Sequence, residues 1–138
     1  MISVRKQEVV KLEDVLHLYQ AVGWTNYTHQ PQMLEQALSH SLAIYMALDG
    51  DAVVGLVRLV GDGFSSVFVQ DLIVLPSYQR QGIGGALMKE ALGDFKDAYQ
   101  VQLVTEQTEK TLGFYRSLGF EALSTYDCTG MIWVDRKR

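Results

Sequence analysis

The stretch DLIVLPSYQRQGIGGALM, residues 71–88, connects an apolar strand pattern to a helical pattern and places three glycines, Gly82, Gly84 and Gly85, within four positions. Each glycine costs backbone entropy there, about 0.5–1 kcal/mol relative to alanine. The first N–H groups of a helix lack intrahelical acceptors and lie at the positive end of the helix dipole. Bare backbone lets an anion contact these groups closely. The glycines therefore indicate either an anion site or a turn that only permits close strand–helix packing.

Two common nucleotide-binding motifs do not fit these glycines. A dinucleotide fingerprint, G-x-G-x-x-G, requires glycine where Leu87 stands, and a P-loop requires G-K-[ST] where Ala86 follows Gly85. The residues present read Q-x-x-G-x-G over residues 79–84, after an apolar strand and Pro76. An anion site here belongs to a different class.

Length and composition favour one globular domain in a reducing compartment. The 138 residues, 48% of them hydrophobic, are enough to bury a core. The single cysteine, Cys128, excludes an intramolecular disulfide and a cysteine-based zinc site, and we expect it to be a small buried side chain. His17, His29 and His40 show no metal-ligand spacing, so no metal is expected.

Charge and hydropathy indicate which kinds of partner the chain is not expected to bind. A net charge of −4 argues against an electrostatic surface for nucleic acid. The first residues, MISVRKQEVVKLEDV, lack the apolar run of a signal peptide, and no segment approaches the roughly 18 apolar residues of a membrane span. We therefore expect a soluble cytoplasmic protein that binds neither nucleic acid nor membrane.

The apolar periodicity predicts the order β-α-α-β-β-β-α-β-α-β, with one or two strands in the closing segment FEALSTYDCTGMIWV, residues 120–134. Asp49-Gly50, between two apolar runs, predicts a hairpin turn. Four helices are predicted, over residues 12–22, from Pro31, over residues 82–95, and from an N-cap at Thr108 to Leu118. A parallel crossover is required within an otherwise antiparallel sheet.

At residues 71–88 the sequence resembles the central motif of the GCN5-related N-acetyltransferases, the GNAT superfamily: a strand, a [QR]-x-x-G-x-[GA] loop and a helix. LGFYRSLGFE, residues 112–121, is similar to the downstream F-Y-x-x-x-G-F segment of that family, in the same order and spacing. The resemblance covers nearly the whole chain, residues 1–60 by layout only. It implies one GNAT domain over residues 1–138, an α/β (α+β) fold with a single mixed, mostly antiparallel sheet, about four flanking helices and a splayed central strand pair that binds acetyl-CoA.

The same resemblance implies how acetyl-CoA is held. Its pyrophosphate would lie on the loop, at Gln79, Arg80, Gln81, Gly82, Ile83, Gly84 and Gly85. Its pantetheine arm would follow the free edge of the preceding strand at Ile73 and Val74, whose amides would also stabilise the oxyanion. Thr108 stands where many family members have asparagine, and we expect it to hydrogen-bond the cofactor arm.

Tyr115 matches the family's tyrosine near the thioester sulfur. A phenol with a pKa of about 10 stays protonated at neutral pH and can protonate a leaving thiolate. The alternative is a half-buried ring that packs against Leu112 and Leu118. Glu or His often stands on the central strand of the family as a base, but here Gln70 cannot act as one. Asp71 is a base or a loop cap, and a chain of ordered waters is the favoured route for the proton.

The acceptor pocket is expected in the loop GWTNYTHQP, residues 23–31, and on the strands that face it. Trp24 and Tyr27, with His29 beside them, are the aromatic candidates, and Gln70 is the candidate on the strand. The alternative for Trp24 is a place in the core.

The resemblance implies an acetyl-CoA-dependent N-acetyltransferase that acts on a primary amine of a small molecule or a peptide, by direct attack and without a metal. A non-catalytic acyl-CoA-binding or regulatory module of the same fold is the alternative, and a phosphate binder of another fold is a third reading. The apolar segment GMIWV, residues 130–134, would suit a homodimer.

Overall fold

The computed structural model describes residues 1–135. The chain divides into two compact units, Met1–Leu103 and Val104–Arg138. The first unit contains the sheet, and the second contains the late helix. The single GNAT domain expected over residues 1–138 stays a prediction.

The first unit contains one five-stranded sheet whose spatial order follows the chain, β1-β2-β3-β4-β5. Neighbours are antiparallel from β1 to β4, and β4 and β5 are parallel. The strands are β1, Ile2–Gln7; β2, Ala43–Asp49; β3, Ala52–Gly61; β4, Ser66–Val74; and β5, Gln100–Leu103. The predicted mixed, mostly antiparallel sheet is confirmed, as is the hairpin, whose Gly50 has a φ of 61°.

Four helices belong to the same unit: α1, Leu12–Ala21; α2, Thr25–Thr28; α3, Pro31–Ser39; and α4, Ile83–Asp94. Pro31 opens α3, where its missing N–H needs no partner. The sequence did not predict α2, because four residues are too short to show a helical period.

Helices cover both faces of the sheet, which explains why every residue of Ala43–Ala47 and Val54–Leu59 is buried. Side chains alternate along a strand. Ile44, Met46 and Leu56 therefore join one core with the buried residues of α1–α3. On the opposite face Tyr45 donates to Asp94 of α4 at 2.6 Å, and Leu87 of α4 lies over Gly55.

The second unit contains α5, Glu109–Ser117, and a short 3₁₀ turn, Leu123–Tyr126. Thr108 is the N-cap of α5 as predicted, because its hydroxyl accepts from the Thr111 N–H at 3.2 Å.

The one or two strands expected over residues 120–134 are absent from the described part of this unit. Residues Met131–Val134 are 70–94% exposed, so they bury little of the apolar surface that strand propensity reflects. The expectation that Cys128 is buried is also wrong, since its side chain is exposed in the same segment.

Asp62 fixes the turn between β3 and β4. Its carboxylate accepts from the backbone N–H groups of Phe64, Ser65 and Ser66 at 2.7, 2.8 and 3.2 Å, and from the Ser65 hydroxyl at 2.5 Å. The Ser65 hydroxyl and then these N–H groups hold the pKa of Asp62 well below its usual range.

We expect Asp62→Asn to lower the melting temperature at neutral pH, since the amide cannot accept at both ends. Because the folded pKa lies below the unfolded value of about 3.9, the stabilisation is complete above that value. It disappears as the pH falls through the folded pKa. Thermal melts of both proteins from pH 7 downward measure the difference. Asp51→Asn, in the hairpin turn at the other end of β3, is the control and should change little at any pH. An equal loss from the two substitutions would contradict the assignment.

Candidate active site

The helix α4 starts at an open, uncapped N-terminus. Gly82, its N-cap residue, has a left-handed φ of 79°, and no side chain caps the helix. The Ala86 N–H donates to the Gly82 carbonyl at 3.0 Å, so the N–H groups of residues 83–85 have no intrahelical acceptor. A Cβ at Gly82 or Gly85 would meet no atom within 4 Å. The loop thus leaves open space beside the positive end of a 12-residue helix.

The residues before Gly82 form an exposed loop attached to the end of β4. Gln79 donates through Nε2 to the Val74 carbonyl at 3.1 Å. Arg80 has a φ of 66°, an uncommon conformation for a residue with a side chain. The left-handed backbone at Arg80 and again at Gly82 turns the chain sharply into α4. Gln79, Arg80 and Gln81 are all exposed, so their side chains are accessible to an anion at the helix start.

The β4 strand separates from β5 halfway along its length. The two strands pair only from Ser66–Gln100 to Val69–Leu103, whereas β4 continues to Val74. The predicted splay is confirmed, and it leaves the β5-facing edge of residues 70–74 without a partner strand in the described sheet.

The register of β3 and β4 decides which amides face this open edge. The Leu75 N–H donates to the Val54 carbonyl of β3 at 2.9 Å. Because the N–H direction alternates along a strand, the Ile73 N–H also faces β3, where Ile73 is paired with Leu56. The N–H groups of Leu72 and Val74 therefore face the open edge. Of the predicted pair, the Val74 N–H faces the open edge and the Ile73 N–H does not, and the contact of either residue with a cofactor stays a prediction.

A β-bulge lies at the start of the open edge. Arg58 is paired with Asp71 and Leu59 with Val69, so Gln70 is the extra residue of β4. The Gln70 side chain is exposed, while those of Val69 and Asp71 are buried. The bulge thus turns Gln70 towards the surface at the point where β4 leaves β5.

Asp71 and Arg58 form a buried ion pair, which the sequence did not predict. Arg58 Nε donates to Asp71 Oδ2 at 2.7 Å, and the two side chains are only 5% and 2% exposed. Tyr19 donates to the same oxygen at 2.8 Å, and Tyr27 donates to Oδ1 at 2.9 Å. The pair joins β3 and β4 to α1 and α2.

The Asp71 carboxylate is therefore engaged by three donors. A carboxylate that serves a guanidinium and two phenols is a structural anchor, and neither the base nor the loop cap considered from the sequence. Burial lowers the pKa of the Arg58 guanidinium, but the charge and hydrogen bond of Asp71 raise it by more. The net effect is a raised pKa. Burial and the Asp71 charge raise the pKa of both tyrosines, so both phenols remain donors at neutral pH.

The structure brings the three predicted acceptor-binding residues to one open pocket of about 270 Å³. Its walls are Trp24, Asn26, Tyr27, Gln70 and Asp71. The Trp24 and Tyr27 rings lie 6.3 Å apart between centroids at an angle of 35°. Trp24 is partly buried and packs against the core, as the alternative considered from the sequence had it, and its contact with an acceptor stays a prediction. His29 is exposed and does not line the pocket.

In the second unit Tyr115 lies in an aromatic cluster. Its ring is 5.0 Å from that of Phe114 and 5.9 Å from that of Phe120, both edge-on. Burial raises the pKa of its phenol, against the opposing effect of a hydrogen bond with Thr105. The group is therefore protonated at neutral pH, as the role of a general acid requires. The Thr108 hydroxyl is already used as a helix cap, and its contact with a cofactor stays a prediction.

Residues 1–135 were searched for a membrane-spanning helix and for a metal-binding group of side chains. No helix there has the length and apolarity needed to cross a bilayer. No three or more histidine, cysteine, aspartate or glutamate side chains of that range form a group that could hold a metal ion.

A splayed strand pair that leads through a glycine loop into an open helix start is the arrangement implied for the GNAT fold. The family model described as an acetyltransferase (GNAT) domain matches residues 40–122. The solved structure of a GNAT-family acetyltransferase from Streptococcus pneumoniae TIGR4 is 82% identical, with a TM-score of 0.92 over 99% of both chains. The chain therefore belongs to the GNAT acetyltransferase family.

Two plant proteins are more distant relatives. The chain is 28% identical over 138 residues to the chloroplastic GCN5-related N-acetyltransferase 1 of Arabidopsis thaliana. The matched region covers 97% of this chain and 68% of that protein. It is 30% identical over 95 residues to the chloroplastic serotonin N-acetyltransferase 2 of Oryza sativa subsp. japonica, which covers 66% of this chain and 48% of that protein. The chain thus spans only part of the length of both.

Proposed function

We propose that this protein transfers an acetyl group from acetyl-CoA to a primary amine. The observation that carries the proposal is the order of features along β4. Gln70 and Asp71 line the pocket, Leu72 and Val74 direct N–H groups to the open edge, and the strand then leads into the glycine loop. An acceptor and an extended thioester arm would thus meet on one strand. Family membership supports the same chemistry.

The residues of the loop fit a diphosphate. Gly82 and Gly85 leave the space that a bulky anion needs, and the N–H groups of residues 83–85 supply donors. Arg80 is an exposed cation in the same loop. Acetyl-CoA would bring an activated acetyl group, whose thioester the amine attacks directly.

The other residues have separate roles in this proposal. The N–H groups of Leu72 and Val74 bind the pantetheine arm and stabilise the charge that develops on the acetyl oxygen. Tyr115 donates its proton to the sulfur, and its raised pKa keeps that proton in place until then. The proton of the amine leaves to water, because the Asp71 carboxylate already binds Arg58 and two tyrosines. Most of the rate enhancement then comes from positioning the two substrates.

Calorimetric titration with acetyl-CoA, CoA and ATP tests the site. We expect acetyl-CoA and CoA to bind and ATP to bind at least about tenfold more weakly, because ATP lacks the arm that pairs with the open strand edge. Equal binding of all three would assign the loop to phosphate recognition alone. Absence of binding by a folded sample would leave the glycines a packing role.

Release of free thiol on addition of amines separates an enzyme from an acyl-CoA-binding module of the same fold. We expect amine-dependent release with at least one class of acceptor. Tight binding of acetyl-CoA without release for any amine of a broad panel would favour the non-catalytic module.

A further inference from the structure

The apolar segment Met131–Val134 has the sequence of a strand, but the described chain does not cover it. Its residues, MIWV, are 70–94% exposed. Ile132 and Val134 are β-branched and Trp133 is aromatic, and both types of residue are enriched in strands. Single exposed apolar side chains are ordinary on a protein surface, whereas a contiguous exposed run is typical of an interaction site. The segment therefore suits a contact with a further surface.

The unit that contains this segment lacks a core of its own. None of the described residues from Val104 to Asp135 is buried, and this includes all of α5. The unit Val104–Arg138 is shorter than the roughly 40 residues below which folding usually needs a disulfide, a metal or association with another chain. Cys128 is the single cysteine of the sequence, so it cannot form a disulfide within the unit. The exposed apolar segment points to association.

The described sheet has two outer edges, and only one of them is protected against another strand. The edge strand β1 carries the exposed cations Arg5 and Lys6. Charged side chains, lysine above all, are a usual protection of an edge strand. The opposite edge strand, β5, carries no charge over Gln100–Leu103. Tyr99 and Val104, directly before and after it, are 81% and 76% exposed. The outer edge of β5, which faces away from β4, is therefore the edge that suits a further strand.

We propose that two copies of this chain form a dimer in which the apolar segment of each copy pairs with the outer edge of β5 of the other copy. Within residues 1–135 of one chain, β5 pairs only with β4 and the segment forms no strand. A second copy supplies both missing complements at once, because the segment and the edge belong to the same sequence. A two-fold axis then makes two equal contacts.

Each contact would extend a sheet by one strand. The added strand supplies hydrogen-bond partners for the backbone N–H and C=O groups on the outer edge of β5. It also brings the apolar side chains of residues 131–134 next to those of Tyr99 and Val104, so that exposed apolar surface from both copies is buried together. The proposal concerns assembly and does not rest on the proposed function.

Sedimentation equilibrium tests the dimer and its dependence on the segment. We expect the unaltered protein to be a dimer at micromolar concentration. Ile132→Lys should raise the Kd of the dimer about 100-fold, since one central interface residue contributes about tenfold and each substitution occurs twice. Val9→Lys is the matched control: Val9 is 76% exposed, as against 77% for Ile132, but lies between β1 and α1. Its dimer Kd should be unchanged. A monomeric unaltered protein, or an equal rise from both substitutions, would overturn the proposal.

Cross-linking of two co-expressed variants tests which surfaces meet. One chain carries Cys128→Ser and Met131→Cys, the other carries Cys128→Ser and Gln102→Cys, and a short bismaleimide is added. We expect a covalent pair of the two different chains. Replacing Gln102→Cys by Val9→Cys should abolish that pair. Equal linkage through Val9→Cys, or a dimer that gives no link through Gln102→Cys, would overturn the proposed pairing. With Gln102→Cys and Met131→Cys in one chain, a link that stays within the chain would likewise overturn it, because the segment would then cover its own β5.

Discussion

Replacement of Gly82 by valine is expected to raise the Kd for acetyl-CoA by about 10- to 100-fold. Two effects combine. A β-branched residue disfavours the left-handed φ of 79° that Gly82 adopts, at a cost to folding of about 1–2 kcal/mol. Its methyl groups also fill the open space beside the first-turn N–H groups, and loss of even one hydrogen bond to a charged group weakens binding by about 1.5–3 kcal/mol. Calorimetric titration of the purified variant gives the Kd.

Gly50→Val is the matched control for this prediction. Gly50 has a left-handed φ of 61° and, like Gly82, has no atom within 4 Å of an added Cβ, but it lies in the hairpin between β2 and β3. We expect a similar loss of stability by thermal melting with the Kd for acetyl-CoA unchanged. Equal Kd values for Gly82→Val and the unaltered protein would remove the loop from the binding site.

Tyr115→Phe is expected to lower kcat by about 100-fold or more while leaving the Kd for acetyl-CoA unchanged. The substitution retains the ring that packs against Phe114 and Phe120 and removes the proton proposed for the leaving sulfur. Tyr126→Phe, which removes an exposed phenol bonded to Glu121 in the same unit, should leave kcat unchanged. An undiminished kcat in Tyr115→Phe would remove Tyr115 from the chemistry.

The pH dependence of kcat gives a second test of the same residue. A general acid acts in its protonated form, and burial raises the pKa of Tyr115 above the ordinary phenol value of about 10. We therefore expect no alkaline loss of kcat attributable to Tyr115 below about pH 10. A descending limb near pH 8 that disappears in Tyr115→Phe would contradict this assignment.

The glycine loop and the pocket lined by Trp24 and Tyr27 show which parts of the candidate site the sequence can predict. The loop was recognisable because Gln79 to Gly85 are adjacent in the chain and their spacing is sufficient to define it. Trp24 and Tyr27 were found because polar and aromatic residues interrupt a helical pattern. Signals of this kind come from residues that are adjacent in the chain, so they do not depend on the tertiary structure.

The ion pair of Arg58 and Asp71 could not be predicted from the sequence, because it depends on strand register. Asp71 is 13 residues from Arg58 and 52 from Tyr19, and only the pairing of β3 with β4 brings the charges opposite each other. A signal was present, since a charged residue within a long apolar strand is seldom buried without a partner. The finding that the Leu72 N–H faces the open edge while that of Ile73 faces β3 has the same origin, because the direction of an amide depends on the register with the neighbouring strand. The late apolar segment misled for the opposite reason: apolar composition favours a strand without determining that one forms.

The buried pair of Arg58 and Asp71 limits which single substitutions the pocket beside β4 can accept. Removal of one partner of such a pair costs about 3–5 kcal/mol, a large part of the 5–15 kcal/mol that keeps a typical domain folded. A single substitution of either residue is therefore expected to destabilise the fold, whatever it does to the pocket. A change at these two positions is tolerated when a neutral pair replaces both residues together, or after a prior gain in stability. We therefore expect substitutions at the two positions to depend on each other, although 13 residues separate them in the chain.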